Sequence, residues 1–316
     1  MPFLARTGGS IAILLAAAAL TLSAQANIDS IPMEVVHGKP YVMVYVNGRG
    51  PFRFLIDTGT GGQALISNEL AERLELPKLG FARLNDPSGQ GGKKAPIVLI
   101  DSLYVGRVGF TTVKAIQHML SSQEGTCEGV LGFTLFRDYL LTLDYPNRRM
   151  LLGSGALEPN ESDGVLPFRM PEGVPIAPLL IGDLRIEAQI DSGGTGLSLP
   201  ERVSRKLKFV SDPAVLGTGH SLSTRFEVKA GRLAANIQLG NYTFDKPFIE
   251  INPAFPLANF GSCPLQNFAV TFDQKSKLMR LEARQKVLHL AIIPTALRLK
   301  NESSQKPLAP DLVPVG

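Results

Sequence analysis

The chain is poor in the side chains that metal and thiol chemistry require. Its 316 residues include no Trp, only two Cys and only four His. Two Cys cannot form a four-Cys zinc site or a disulfide-dense scaffold, and the zinc-protease pattern H-E-x-x-H does not occur. The formal net charge is +4, which is too small on a chain of this length to indicate a nucleic-acid partner. These absences exclude the zinc-protease and disulfide-scaffold classes and leave a globular chain whose chemistry must come from other groups.

Residues 1–26 show the three parts of an export signal. Arg6 is the only charge, residues 11–22 are uncharged and almost wholly Ile, Leu and Ala, and Ala24-Gln25-Ala26 fits a small-x-small cleavage site. A membrane anchor is the alternative, but spanning a bilayer takes about 20 apolar residues. We therefore expect cleavage after Ala26, a periplasmic or secreted protein, and no stable membrane insertion after cleavage.

The rest of the sequence holds two copies of one pattern, about 130 residues apart. Each copy starts at Gly-x-Pro, continues through two apolar runs separated by a Gly-containing turn, and ends at Asp-Thr-Gly or Asp-Ser-Gly. Asp57 follows Gly38 by 19 residues, and Asp191 follows Gly173 by 18. Each copy predicts a β-hairpin whose second strand carries an Asp into a Gly-rich turn.

A second pair of landmarks extends the repeat. Val130-Leu131-Gly132 precedes Asp144, and the less well matched Asn259-Phe260-Gly261 precedes Asp273, with 12 residues from Gly to Asp in both. Landmarks in one order with near-equal gaps indicate a duplication. The predicted organisation is a first lobe over residues 27–158, a second lobe over 159–285 and a partly disordered tail over 286–316. We interpret Asp144 and Asp273 themselves as turn or surface residues.

If the two Asp-containing turns, here called Asp-turns, meet across a pseudo-twofold axis, their carboxyl groups would form an acid–base pair. Two adjacent carboxylates cannot both ionise cheaply, so they share one proton. The ionised member can take a proton from a water, and the protonated member can polarise a carbonyl and then protonate the leaving amine. Neither a metal nor another cofactor is needed, and none is expected. The candidates are catalytic Asp57 and Asp191, with Thr58, Gly59, Thr60, Ser192 and Gly193 as support for the dyad.

These residues resemble the retropepsin-like and pepsin-like aspartic peptidases, in their bacterial exported form with both lobes fused. The matching segments are 54–60 and 188–194, within a resemblance that spans about residues 31–282. It implies an all-β, bilobal acid-protease barrel fold with two pseudo-symmetric lobes and one catalytic Asp per lobe. It also implies an exported aspartic endopeptidase that hydrolyses a peptide or protein substrate in the cleft between the lobes.

Three departures from the family pattern lead to further predictions. Thr60 fits the position after the first triplet, but Gly194 has no side chain to match it, so we expect Asp57 to be the more acidic Asp and Asp191 to hold the shared proton. The predicted flaps, residues 85–95 and 217–225, contain no aromatic residue and should be mobile. The segment 262–264 replaces Phe133-Thr134-Leu135 of the first lobe and looks degenerate. The flap candidates are Gly89, Gly91, Gly92, Thr218, Gly219 and His220.

The two Cys remain open between two arrangements. Export would place Cys127 and Cys263 in an oxidising compartment, where they could pair. The alternative is two separately buried thiols, because sequence gives no distance between them.

Two other functions compete with the enzyme. The fold could serve as a catalytically weak or inactive peptide-binding or regulatory module, which the aromatic-free flaps favour and the retention of both Asp residues disfavours. A self-paired dimer is the third option. Because one chain already carries both Asp-turns, dimerisation is not needed for the chemistry and a monomer is expected.

Overall fold

The computed structural model describes residues 28–85, 92–120, 127–220 and 225–290, and strands dominate them. The strands of the first half are β1 Ile28–Pro32, β2 Glu34–Val36, β3 Lys39–Val46, β4 Arg49–Asp57, β5 Ala64–Ser67, β6 Lys78–Asn85, β7 Gly92–Val105, β8 Val108–His118, β9 Gly129–Gly132, β10 Leu140–Asp144 and β11 Arg149–Gly153. Those of the second half are β12 Val165–Pro167, β13 Ile176–Ile181, β14 Leu184–Asp191, β15 Leu197–Pro200, β16 Ala214–His220, β17 Arg225–Arg232, β18 Ile237–Leu239, β19 Tyr242–Phe244, β20 Phe248–Asn252, β21 Ala258–Gly261, β22 Ala269–Asp273, β23 Leu278–Glu282 and β24 Val287–Leu288. The helices in these ranges are α1 Asn68–Arg73, α2 Glu201–Ser204 and α3 Ser262–Leu265, with 3₁₀ turns at Phe133–Phe136, Glu161–Asp163 and Pro171–Gly173.

The strands form three sheets. An eight-stranded sheet has the order β2-β3-β4-β9-β5-β8-β7-β6, and it curls so that β3 also pairs with β7. A ten-stranded sheet has the order β16-β17-β20-β15-β21-β14-β13-β18-β19-β24. A six-stranded sheet, β1-β11-β10-β22-β23-β12, takes three strands from each half. The predicted all-β class is confirmed, because the residues that the structure describes are 57% strand and 9% helix.

The hairpin of β3 and β4 shows why the sequence folds as it does before the first Asp. Phe52, Phe54 and Ile56 alternate along β4 and point into the core, which is the period of two that a half-buried strand requires. Asn47 and Gly48 connect the strands, both with positive φ, 49° and 73°. This is the chemistry that a two-residue hairpin turn favours.

Short caps and turns follow each Asp-turn. Ser67 accepts a hydrogen bond from Leu70 N at 3.0 Å and so caps α1. The first helix then buries Leu70 and Ala71 against the sheet. In the second half Pro200 takes the cap position before α2, and Val203 and Ser204 are its buried residues.

The six-stranded sheet joins the two halves. Antiparallel β10 and β22 pair with Thr142 opposite Thr271, and their hydroxyls lie 2.8 Å apart. Aromatic packing continues across the junction, since the Phe133 and Phe272 rings meet edge to face at 5.2 Å. The halves are therefore connected by one sheet and one continuous core.

Asp144 and Asp273, which end β10 and β22, are buried and not surface residues, so that part of their interpretation was wrong. Burial alone would raise the pKa of Asp144, but hydrogen bonds from Asn147 and Arg149 outweigh it and lower that pKa. Burial is likewise outweighed at Asp273, where three backbone amides donate to the carboxylate and its pKa is lowered. Both carboxylates begin turns, and both stay charged because the turn satisfies them.

The second half extends slightly past its predicted end. Strand β24 pairs with β19, so residues 287 and 288 belong to the ten-stranded sheet. The predicted signal, residues 1–26, lies outside the described residues, as do residues 291–316 of the predicted tail. In the portion of the chain that the structure covers, no helix has the length and apolar character needed to cross a membrane.

Candidate active site

Equivalent strands deliver the two candidate catalytic Asp residues to a common point. β4 runs parallel to β9 and places Asp57 beside Gly132. β14 runs parallel to β21 and places Asp191 beside Gly261. The Asp57 and Asp191 carboxyl groups are hydrogen-bonded to each other, although 134 residues separate them in sequence.

Glycine is required where the two turns approach each other. A Cβ atom on Gly59 would lie 2.6 Å from Asp191 Oδ1, and one on Gly193 would lie 2.3 Å from Asp57 Cγ. No side chain fits at such distances. Each Gly therefore allows the partner carboxyl group to pass close to its own backbone.

Two buried hydroxyls connect the turns from below. Thr58 Oγ1 donates to Ile190 O at 2.6 Å and accepts from Ser192 N at 2.9 Å. Ser192 Oγ donates to Ile56 O at 2.8 Å and accepts from Thr58 N at 3.0 Å. Both side chains are fully buried. The four bonds cross between the halves and fix the two turns relative to each other.

The environment of Asp57 favours its protonated form. Burial, the charge of Asp191 and the hydrogen bond between the two carboxyls raise the pKa of Asp57 from its ordinary 3.8 to about 7. Two donors oppose the shift: Gly59 N lies 2.7 Å from Oδ1, and Thr60 Oγ1 lies 2.9 Å from Oδ2. The opposing bonds are outweighed, so the pKa of Asp57 stays raised and its protonated form is favoured.

Asp191 has one donor more than Asp57. Gly193 N and Gly194 N donate to its Oδ1 at 2.9 and 2.8 Å, and Asn259 Nδ2 donates to its Oδ2 at 2.9 Å. Hydrogen bonds to a carboxylate favour the charged form. The additional donor at Asp191 argues against the prediction that Asp57 is the more acidic member. Gly194 has no side chain, but Asn259 fills the place of the missing hydroxyl and the Gly194 amide adds a further donor.

The second-half element that looked degenerate keeps the geometry of the first. Phe133 N donates to Thr60 O at 2.9 Å, and Ser262 N donates to Gly194 O at 2.8 Å. A short helical turn follows in both halves, at residues 133–136 and in α3. The backbone hydrogen bond that supports each Asp-turn is therefore present in both halves.

The flap candidates lie in or beside two hairpins, β6–β7 and β16–β17. Gly89 and Gly91 fall outside the described residues, Gly92 begins β7, Thr218 and Gly219 lie in β16, and His220 is the last residue of β16. The hairpin stems are longer than the predicted flaps and contain aromatic residues that the shorter ranges missed. Phe81 on β6 is 60% exposed, and Phe226 on β17 packs on Phe255 with ring centroids 5.6 Å apart.

The disulfide between Cys127 and Cys263 is absent, so that alternative was wrong. The Cys127 thiol donates to Gly129 O at 3.1 Å. Cys127 precedes β9 at the end remote from the dyad, because β9 reaches Asp57 only at Gly132. Cys263 follows β21 on the dyad side, within α3. The two thiols thus sit at opposite ends of equivalent strands.

Three residues near the dyad were not singled out as site residues. Asn259 gave a signal, since it is polar at a position where the motif is apolar. Gln189 donates to Gly59 O across the halves at 3.4 Å. Tyr145 is buried, and burial together with the charges of Asp191 and Asp57 raises its pKa well above the ordinary value. Among the described residues, no group of three or more His, Cys, Asp or Glu could hold a metal ion.

Fold and site together define an all-β protein in which each half contributes one Asp-turn to a shared carboxyl pair. Residues 42–135 match the family model described as Aspartyl protease, and over that segment the resemblance to aspartic peptidases is confirmed. Among solved structures, a retropepsin-like aspartic protease from Rickettsia conorii is similar with 18% identity and a TM-score of 0.31, over 41% of this chain and 92% of that one. No curated protein sequence matches the chain.

Proposed function

We propose that the protein is an exported aspartic endopeptidase that hydrolyses peptide bonds with a water activated by Asp57 and Asp191. The observation that carries the proposal is the hydrogen-bonded pair of carboxyl groups, one from each half, with the pKa of Asp57 raised to about 7 by burial and by the charge of Asp191. A pair that shares one proton can act as acid and base in one step. The aspartyl protease family match of the first half supports the same function.

The two carboxyl groups take different roles. Asp191, with three hydrogen-bond donors, is ionised and takes a proton from the water as it attacks the peptide carbonyl carbon. Asp57 donates its proton to the carbonyl oxygen, which becomes a hydroxyl of the tetrahedral intermediate. Collapse of the intermediate breaks the C–N bond, and the proton held by Asp191 goes to the leaving amine. Asp57 takes back the hydroxyl proton and the pair returns to its starting state.

The substrate is an extended peptide that lies between the two hairpins. β6 and β16 are the terminal strands of their sheets, so each leaves one row of backbone groups without a strand partner. Such edges bind extended peptides through main-chain hydrogen bonds.

The test is cleavage of a peptide library by the purified protein from pH 3 to pH 8. Wild type is expected to cleave, with activity lost above about pH 7 as Asp57 gives up its proton. Asp57→Asn and Asp191→Asn should each remove cleavage. Asp183→Asn, an exposed Asp in the β13–β14 turn, is the matched control and should cleave like wild type.

The outcomes separate the enzyme from the binding module. Equal background hydrolysis in all four proteins, together with tight binding of a statine-type peptide, would establish a peptide-binding module instead. The aromatic residues in the hairpin stems and the backbone support retained in the second half count against that alternative.

Export is tested separately. Expression of the full chain in a bacterial host, followed by N-terminal sequencing of the periplasmic fraction, should give a protein that begins at Asn27. A cytoplasmic protein that keeps residues 1–26 would refute export without affecting the cleavage assay.

A further inference from the structure

The donor to the outer oxygen of each dyad carboxyl comes from a different place in each half. In the first half Thr60 Oγ1, in the Asp-turn itself, donates to Asp57 Oδ2 at 2.9 Å. In the second half Asn259 Nδ2, on the neighbouring strand β21, donates to Asp191 Oδ2 at 2.9 Å. Both carboxyl groups therefore accept a side-chain hydrogen bond at Oδ2, but the donors are not at equivalent positions in the two halves.

The strand register identifies the equivalent positions. Val130 lies opposite Leu55, two residues before Asp57, and Asn259 lies opposite Gln189, two residues before Asp191. Val130 is an apolar side chain and cannot donate to Asp57. The first half thus combines a Thr in the turn with a Val on the strand, and the second half combines a Gly in the turn with an Asn on the strand.

Gly194 and Asn259 depend on each other sterically. A Cβ atom on Gly194 would lie 2.3 Å from Asn259 Nδ2 and 2.5 Å from Asp191 Oδ2. Any side chain at residue 194 would therefore push the Asn259 amide away from the carboxylate.

The orientation of the Asn259 amide follows from its surroundings. Its Oδ1 is buried and accepts no hydrogen bond from the part of the chain that the structure describes. Turning the amide over would place Oδ1 against a carboxylate oxygen and would lose the bond to Asp191. A buried acceptor without a donor is costly, so the bond to Asp191 is the interaction that this side chain makes in return.

We propose that Asn259 is a positioning residue that holds the negative charge on Asp191, with Gly194 leaving the space it needs, and so determines which Asp is the base and which is the acid. This inference rests on the proposed peptidase function for its role in catalysis. The hydrogen bond, and its effect on the charge of Asp191, do not depend on that function.

The test exchanges the arrangement of one half for that of the other. Asn259→Val places the first-half strand residue in the second half, Gly194→Thr does the same for the turn, and the double variant transplants both. One readout is kcat/KM against pH. The second is ¹³C NMR titration of the Asp carboxyl carbons, assigned with Asp57→Asn and Asp191→Asn, which reads the protonation of the pair without substrate.

Loss of one charge-assisted bond in Asn259→Val should raise the lower apparent pKa of the carboxyl pair, its acidic step, by about one to two pH units. The same variant should have kcat/KM lowered by about 10- to 100-fold at pH 4. Gly194→Thr should lose at least as much, because the new side chain displaces Asn259 without room to replace it. The double variant should recover at least tenfold over Gly194→Thr, since removing the Asn259 amide frees the position for the Thr hydroxyl and lets the Asp191 carboxylate move away from the new Cβ. Recovery on adding a second substitution is non-additive and shows direct coupling.

Each result decides between the two proposals. An acidic step that does not move in Asn259→Val, or a double variant no better than Gly194→Thr, overturns the positioning role while leaving the peptidase in place. A step that moves in NMR in a protein that cleaves no peptide refutes the peptidase and leaves the positioning role standing. If Asn259→Val does not fold, Asn259→Ser replaces it: a seryl hydroxyl is too short to reach the carboxylate, and the same shift is expected.

Discussion

The enclosed carboxyl group of Asp57 should make the protein less stable as the pH rises, and Asp57→Asn should remove that loss. The pKa of Asp57 is raised from 3.8 to about 7, first by burial and then by the charge of Asp191. Between these two pH values the folded chain keeps a proton that the unfolded chain has released. Folding then takes up a proton, so the free energy of unfolding falls as the pH rises through this window.

The size of the effect follows from the shift. A difference of about three pKa units corresponds to about 4 kcal/mol at 1.36 kcal/mol per unit. This is an upper value, because Asp57 keeps some contact with solvent and solvent screens part of the interaction. This loss of stability is absent below about pH 4, grows between pH 4 and pH 7 and is complete above pH 7. Asn at residue 57 has no ionisable group and no such loss.

Urea unfolding at pH 4 and pH 8 measures the difference. The chain has no Trp, so far-ultraviolet circular dichroism is the suitable probe. The free energy of unfolding of Asp57→Asn minus that of wild type should be larger at pH 8 than at pH 4 by up to about 4 kcal/mol. Asp183→Asn, which is exposed, should follow wild type at both pH values.

The lowered pKa values of Asp144 and Asp273 act in the opposite direction, but they are common to all three proteins and cancel in the comparison. Parallel pH profiles for wild type and Asp57→Asn would refute the reasoning. They would mean that the shared proton is not on Asp57 or that the pair is well solvated.

Three further substitutions test the scaffold. Thr58→Val leaves Ile190 O and Ser192 N buried without a partner and should cost about 2–6 kcal/mol in urea unfolding, whereas the same change at exposed Thr111 should stay within about 0.5 kcal/mol. Ser67→Ala removes the cap of α1 and should cost about 1 kcal/mol by the same measurement; no change would show that the hydroxyl is dispensable. Gly129→Ala places a Cβ 2.1 Å from the Phe54 ring and should lower the free energy of unfolding by about 1–3 kcal/mol. Thermal unfolding should show a lower midpoint, and an unchanged midpoint would contradict the tight packing.

The features that the sequence predicted well are local. The apolar strand before each Asp and the Gly after it predict the two Asp-turns, and both signals lie within a few residues of the Asp. The repeat supplied the pairing of Asp57 with Asp191, because equivalent landmarks in two halves end at equivalent places in a pseudo-symmetric fold. Turn chemistry at Asn47-Gly48 likewise acts within a single hairpin.

The features that escaped prediction depend on neighbours distant in sequence. Gly194 alone suggested that Asp191 lacked a side-chain donor. The donor is Asn259, which lies 68 residues further along the sequence. Asp144 is buried at the end of β10, which pairs with β22 of the other half, a contact that the local sequence does not reveal. The two thiols were candidates for pairing only because their positions along β9 and β21 cannot be read without the strand register.

The pairing of β10 with β22 also has a consequence for the order in which the chain is made. Asp144, the last residue of β10, precedes Asp273, the last residue of β22, by 129 positions. At a synthesis rate of about 5–20 residues per second, β10 is complete about 6–26 s before its partner strand. During that interval the edge of β10 has no β22 to pair with, and an unpaired strand edge is a surface on which chains aggregate. A ribosome that slows before residue 273 would lengthen this interval, so the protein's yield in a cell should depend on how fast its second half is translated.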